Sequence, residues 1–203
     1  FAESQRAVYY ADGSRVGRQR FDGTTLLGDA EVVPGTYTPA VSGTLRLDPD
    51  DDWVVFAGDK TVYASRIAGS APTPAVLVSG DFAVGTTGLG RIEMAPTSSV
   101  VVYTADQASP GIKHPYYVDL EASPIPAPRD LVGTATSGWI DDRHLAYSSD
   151  SAIVAYSYQQ SDSNCPELHL VNLLQDNATA RNPLMSYSPY CTSTTAYGSH
   201  AVA

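Results

Sequence analysis

Four short apolar segments recur along the chain at nearly constant spacing, and this period constrains the fold more than any other feature of the sequence. The segments are Ala7-Val8-Tyr9-Tyr10, Val54-Val55-Phe56-Ala57, Val101-Val102-Tyr103-Thr104 and Leu145-Ala146-Tyr147-Ser148. The central aromatic residues Tyr9, Phe56, Tyr103 and Tyr147 are separated by 47, 47 and 44 residues. A fixed period of this size, made of β-type segments and turn residues, predicts stacked or radially arranged structural repeats.

The sequence between these markers is β-type throughout. Short runs of β-branched and aromatic residues alternate with Gly, Pro, Asp and Ser, as in chains of strands and tight turns. No segment keeps a helical apolar period over the length of an ordinary helix. The content of 43% hydrophobic and 17% charged residues is typical of a folded domain, and 203 residues can bury a hydrophobic core. We therefore predict an all-β chain.

Each unit is predicted to contain four antiparallel strands, which is the content of one propeller blade. The units run over about residues 1–43, 44–88, 89–135 and 136–186 of a single domain, followed by an irregular tail over 187–203. In this division the first unit begins at its second strand. In the fourth unit, Asp141 and Asp142 are interpreted as the turn that precedes the marker residue Tyr147.

The order of these segments resembles the TolB-like, WD-like β-propeller repeat. The matching stretches are 47–56, 117–120 with 129–132, and 139–147, and 21–24 is similar to the end of the family's third strand. The likeness covers roughly residues 5–175, and it departs from the family's Ser-Pro-Asp-Gly turn, whose glycine no unit keeps. The resemblance implies a β-propeller of which about four blades are present. A longer protein or another chain would then complete the ring.

Charge argues against some classes of partner. The chain has 22 acidic and 12 basic residues, a net charge of −10, which repels a phosphate backbone, so no nucleic acid is expected to bind. No run approaches the ~18–20 apolar residues that span a bilayer. Arg6, Arg15, Arg18 and Arg20 form a local basic cluster, which we interpret as a solvated strand face.

The two cysteines, Cys165 and Cys191, lie in polar, loop-like surroundings near the end of the chain. Two cysteines without further ligands fit a disulfide better than a metal site. The alternative is a pair of free thiols in a reducing compartment. The disulfide interpretation is favoured because free cysteines prefer apolar burial, and it predicts a periplasmic or extracellular location.

Asp48, Asp50 and Asp52 have the spacing of the first three ligands of a calcium loop. The glycine and the glutamate that such a loop needs further on are absent, since Trp53 and Asp59 stand in their places. In the repeat register these residues form a blade turn. The turn is the favoured interpretation, with calcium as the alternative, and no other cofactor is expected.

No catalytic motif is found in the sequence. His114, His144, His169 and His200 show no metal-binding spacing, and each is expected at a surface or in a loop. The chain has thirteen tyrosines and four phenylalanines. Tyrosine suits binding surfaces because its ring is apolar and its hydroxyl group is polar. The candidate partner-binding residues are His114, Tyr116, Tyr187 and Tyr190.

The function expected from the sequence is that of a non-enzymatic, exported propeller module that binds another protein or copies of itself. One alternative, which the resemblance implies, is the propeller domain of a larger hydrolase or lyase. A second alternative is an extracellular structural or filament subunit whose missing strands come from a neighbour. Open sheet edges invite such pairing.

Overall fold

The structure, a computed structural model, describes residues 7–37, 44–80, 88–132, 139–159 and 167–174. Within these residues it contains strands and turns and no helix, so the prediction of an all-β chain is confirmed for them. The strands are β1 (Ala7–Ala11), β2 (Val16–Asp22), β3 (Thr25–Val32), β4 (Leu45–Leu47), β5 (Trp53–Ala57), β6 (Val62–Arg66), β7 (Val76–Leu77), β8 (Leu89–Met94), β9 (Val100–Ala105), β10 (His114–Asp119), β11 (Arg129–Asp130), β12 (Trp139–Tyr147), β13 (Ile153–Gln159) and β14 (Glu167–Asn172).

The strands form four antiparallel sheets, each built from strands that follow one another along the chain. The first sheet contains β1–β3, the second β4–β7, the third β8–β11 and the fourth β12–β14. Within each sheet every strand pairs with the strand next to it in sequence. Turns rich in Gly, Asp, Pro and Ser join several of the paired strands, whereas eight or nine residues separate β6 from β7, β9 from β10 and β10 from β11.

Consecutive sheets pack face to face in chain order. One apolar cluster joins the first and second sheets, another joins the second and third, and a third joins the third and fourth. We call the face of a sheet that points toward the following sheet its front, and the opposite face its back. Trp53 and Val55 lie on the front of the second sheet, whereas Val54 and Phe56 lie on its back. The second and third sheets are therefore apolar on both faces.

A Val-x-aromatic pattern marks the back of each sheet. In the second, third and fourth sheets the aromatic residue stacks on a ring of the neighbouring strand, with centroid distances of 5.4–5.7 Å. The three stacked pairs are Phe56 with Tyr63, Tyr103 with Tyr116, and Tyr156 with His169. The hairpins after β1 and β5 have the same length, which makes Tyr10 the equivalent of Phe56.

Two of the four aromatic residues predicted to occupy equivalent positions in the repeats, Tyr9 and Tyr147, do not occupy them. Tyr9 points to the front of the first sheet, and Tyr147 lies in the first strand of the fourth sheet rather than in the second. Asp141 and Asp142 also lie within β12 and do not form the repeat turn. That turn occupies 148–152, where Ser148 accepts a hydrogen bond from the Ile153 amide. The equivalent aromatic residues are separated by 46, 47 and 53 residues.

The turns between the first two strands of neighbouring units are joined by side-chain hydrogen bonds. Asp48 Oδ1 accepts from the amides of Asp52 and Trp53 at 2.7 and 2.9 Å, and Asp48 Oδ2 accepts from the Ser99 hydroxyl at 2.7 Å. Ser151 Oγ accepts from the amide of Thr97 at 2.9 Å. These contacts align the second, third and fourth sheets at one end of the molecule.

A buried arginine connects the first two sheets. Arg18 is fully buried, forms an ion pair with Glu31, and donates to the carbonyls of Ile67 and Ser70 at 3.0 and 2.9 Å. Arg20 donates to the Ser70 carbonyl as well. The interpretation of the arginine cluster as a solvated face is wrong for Arg18, because these carbonyls and the Glu31 carboxylate replace its water.

Candidate functional site

Two of the predicted partner-binding residues, His114 and Tyr116, are buried. They are 5% and 4% exposed, so the expectation that they lie on the surface is wrong. His114 Nδ1 lies 2.9 Å from Asp130 Oδ2, and the Tyr116 ring stacks on Tyr103. Burial raises the pKa of Tyr116 to about 12, since the phenolate would lose its hydration. Both side chains serve the packing of the third sheet.

The other predicted site residues in the last part of the chain, Tyr187, Tyr190, Cys165 and Cys191, lie outside the described residues. The disulfide between Cys165 and Cys191 therefore stays a prediction. His200 also lies outside them.

The aspartates of the possible calcium loop form the turn that the repeat register predicts. Both carboxylate oxygens of Asp48 accept hydrogen bonds from the protein itself, and Asp48 is 2% exposed. Burial raises the pKa of this carboxyl, and the hydrogen bonds it accepts oppose that rise only in part. Asp50 and Asp52 project from the turn without joining Asp48 in a ligand set: in the described part of the chain, no three His, Cys, Asp or Glu side chains are grouped to hold a metal ion.

An open cavity of about 300 Å³ lies between the second sheet and the segment that follows β10. Trp53, Leu120 and Ile125 line it with apolar surface, and Arg66 and Glu121 stand at its polar side. The Trp53 indole N–H donates to Glu121 Oε1 at 2.7 Å, so that carboxylate helps to hold the cavity wall. Arg66 forms an ion pair with Asp52, with 3.8 Å between Nη2 and Oδ2.

The back of the first sheet carries several exposed apolar side chains. We call it the outer face. By strand register it is formed by Val8, Tyr10, Gly17, Gln19, Phe21, Leu26 and Val32. Val8 is 43% exposed, Leu26 67% and Val32 39%. Exposed apolar side chains that share one sheet face make it a candidate interaction site.

The outer face has the same residue pattern as faces that are buried elsewhere in the molecule. Val8 is equivalent to Val54, Val101 and Val154, each of which is 0% exposed. The difference arises because a preceding sheet covers the other three faces. The sequence interpretation did not single out Val8, although its place two residues before Tyr10 could have shown that it belongs to a packing face.

Leu26 and Val32 were also missed, since Leu27 interrupts the alternation of apolar and polar residues along β3. The register between β2 and β3 shifts between Arg18 and Arg20, yet Leu26 and Val32 lie on the same face of the sheet. The sequence feature that could have pointed to an exposed apolar residue here is the pair Leu26-Leu27 beside a tight turn.

In the described part of the chain we find no helix that could cross a membrane. Set against known proteins, the chain matches no family model and no curated sequence. The outer face therefore has to be interpreted from its own chemistry.

Proposed function

We propose that this chain is a non-enzymatic, exported β-propeller module that binds another protein or associates with copies of itself. The outer face of the first sheet would be the binding surface, and it would receive another β-sheet. The propeller architecture is supported by meandering sheets that follow one another front to back in chain order. Export rests on the predicted disulfide between Cys165 and Cys191.

One observation carries the proposal. The Val-x-aromatic pattern lies under a neighbouring sheet in the second, third and fourth sheets, whereas in the first sheet Val8 is 43% exposed and Tyr10 is half-exposed. Burying a valine side chain contributes about 1.5–3 kcal/mol, so leaving such a face in water gives up a favourable contact. A partner sheet would restore that contact.

A role other than catalysis is supported by what the buried polar groups do. Asp48 orders a turn and binds Ser99, Arg18 connects two sheets, and His114 is held by Asp130. Each of these groups has a structural task that accounts for its position. None of them lines the cavity beside Trp53.

The proposal is tested by asking whether the outer face contacts protein. We expect p-benzoylphenylalanine in place of Leu26 to give a photo-crosslinked adduct when the chain is produced in its own source. The adduct should disappear when Val8→Lys is added, and it should persist with Val76→Lys, which changes an equally exposed valine (41%) on another sheet. A chain that gives no adduct from position 26 would contradict the proposal.

The predicted export has its own test. The intact mass of the protein, measured without reductant, should be lower by two hydrogens than after reduction, and the fragment that links Cys165 to Cys191 should be recovered. Two free thiols in protein isolated from its source would contradict the exported location.

A further inference from the structure

We infer that the outer face pairs with the same face of a second copy of this chain, which gives a two-fold symmetric dimer centred on Tyr10 and Leu26. The inference rests on the proposed function and names the partner that the outer face would bind. It can fail while the proposed function stands, because a different protein could take the same surface.

The other end of the stack does not offer a free face. On the front of the fourth sheet, Ala155 is 4% and Ser157 8% exposed, and the neighbouring Leu168 and Leu170 are half-buried. A head-to-tail contact between copies would need that front to receive the outer face. Within the described residues, the surface that best matches the outer face is therefore the outer face of a second copy, as in an isologous contact.

Charge favours this pairing. Each copy has a net charge of −10, so most approaches between two copies are opposed by repulsion. The outer face takes two side chains from β1, three positions from β2 and two from β3, and none of these seven is charged. Asp29 lies at its margin, where the register between β2 and β3 shifts. Two copies can thus meet here without placing like charges opposite each other.

The shape of the outer face also differs from that of the other backs. Tyr10 pairs across strands with Gly17, where the other sheets have a stacked pair of rings. A Cβ on Gly17 would lie 2.6 Å from Cζ of Tyr10, so the ring lies directly over the glycine. A ring lying over a glycine makes the surface flatter, and flat surfaces of the same kind can pack on each other.

The size of the outer face predicts a weak dimer. Three strands about 4.8 Å apart, with about 3.3 Å per residue along each strand, give a face of roughly 300 Å². Two such faces bury roughly 600 Å² in total, below the ~1,200 Å² at which specific stable interfaces begin. We expect a dimer that forms at high protein concentration and dissociates on dilution.

Sedimentation velocity of the full chain over a wide concentration range tests the inference. A monomer–dimer equilibrium is expected, and added salt should strengthen it, because salt screens the repulsion between the acidic copies. Val8→Lys and Leu26→Lys should each abolish dimerisation, whereas Val76→Lys should leave it unchanged. Circular dichroism and urea unfolding would show that all three variants remain folded.

The contact itself is mapped with p-benzoylphenylalanine in place of Leu26 in the purified protein. Crosslinks to β1–β3 of the second copy support the isologous dimer. Crosslinks to β13 or β14 would show head-to-tail assembly and overturn the inference, while leaving the proposed function intact. A protein that is monomeric at every concentration overturns it as well. An adduct with a different protein from the source would then still support the proposed function.

Discussion

Val8 and Val54 occupy equivalent positions on the backs of the first and second sheets, yet one is 43% exposed and the other is fully buried. Tyr10 and Phe56 follow two residues later in both strands. The first sheet covers Val54, and within the described residues no sheet covers Val8. The repeat thus gives every unit an apolar packing face, and within the described residues a neighbouring sheet covers this face in the second, third and fourth sheets.

Substitutions on these two equivalent faces should differ in whether they affect folding or association. On the back of the second sheet, an apolar side chain contributes to folding through contacts with Ala7, Tyr9 and Val16. On the outer face Val8 is 43% exposed, so its substitution should alter association more than folding.

The largest difference in the free energy of unfolding is expected between alanine substitutions of the equivalent residues Tyr103 and Tyr10. Tyr103→Ala should lower the free energy of unfolding by about 3–5 kcal/mol, because the ring is fully buried and stacked on Tyr116. Tyr10→Ala should cost no more than about 1.5 kcal/mol, since that ring is half-exposed. Urea unfolding measures both values.

A conservative control separates the Tyr103 ring from its hydroxyl. Tyr103→Phe keeps the ring and removes the hydroxyl, which bonds to Gln107 and to the backbone of Gly80, and should cost about 1 kcal/mol. Equal losses for Tyr103→Ala and Tyr10→Ala would contradict the distinction between the buried backs and the outer face.

The junction between the first and second sheets should depend on a polar contact. Arg18→Met removes the donor to the Ile67 carbonyl and leaves Arg20 as the remaining arginine beside Glu31 and the Ser70 carbonyl. Loss of one partner from a buried pair costs about 3–5 kcal/mol, and we expect the lower end because Glu31 is 33% exposed. Arg15→Met is the matched control, since Arg15 pairs with Asp12 at the surface and should change stability by less than about 0.5 kcal/mol. Similar values for the two variants would argue against the burial of Arg18.

The contribution to stability of Asp48, which accepts a hydrogen bond from Ser99 between the second and third sheets, should depend on pH. Burial raises the pKa of Asp48 above its ordinary value of 3.8, so the folded protein holds this proton more tightly than the unfolded chain does. The stability contributed by the protonated carboxyl is present below pH 3.8 and is lost as the pH rises through the folded-state pKa. Asp48→Asn should cost about 1 kcal/mol and should remove this part of the pH dependence.

Urea unfolding of the wild type and Asp48→Asn across the acid range is the measurement. The stability advantage of the wild type should shrink as the pH rises. An advantage that grows with pH would mean that the carboxylate, rather than the carboxylic acid, is favoured in the folded turn.

The smallest effect is expected at the contact between Tyr10 and Gly17. Gly17→Ala places a Cβ against the end of the Tyr10 side chain, which can swing toward solvent. We expect a loss below about 1 kcal/mol, because alanine also loses less backbone entropy than glycine on folding. Dimer formation should weaken, since the outer face changes shape. Unfolding that becomes several kcal/mol easier would show that Tyr10 is fixed in place.

Much of the fold could be predicted because local patterns specify strands. The alternation in β4 and the β-branched run in β5 gave their boundaries to within about a residue. The fourth unit was misaligned because Leu145-Ala146-Tyr147-Ser148 resembles a second strand in composition. Only the pairing of β12 with β13 across the turn at 148–152 shows its true place.

The candidate site was harder to predict because burial depends on what packs against a residue. Tyr116 resembles a surface tyrosine in sequence, yet it lies between two sheets. Arg18 has no local signal for burial, since its carbonyl partners are about 50 residues away. Val8 shows the reverse case, in which a core pattern lies exposed at the end of the stack.

The face that carries Val54 is covered within the chain, whereas the equivalent face that carries Val8 is partly exposed, and we propose that a partner covers it. The most direct test compares Val54→Lys with Val8→Lys by urea unfolding and by sedimentation. Val54→Lys buries an unpaired charge and should remove more than about 4 kcal/mol of stability. Val8→Lys should leave stability within about 0.5 kcal/mol of the wild type while abolishing association. If Val8→Lys destabilises the protein as strongly as Val54→Lys does, the outer face is covered within the chain and the account is wrong.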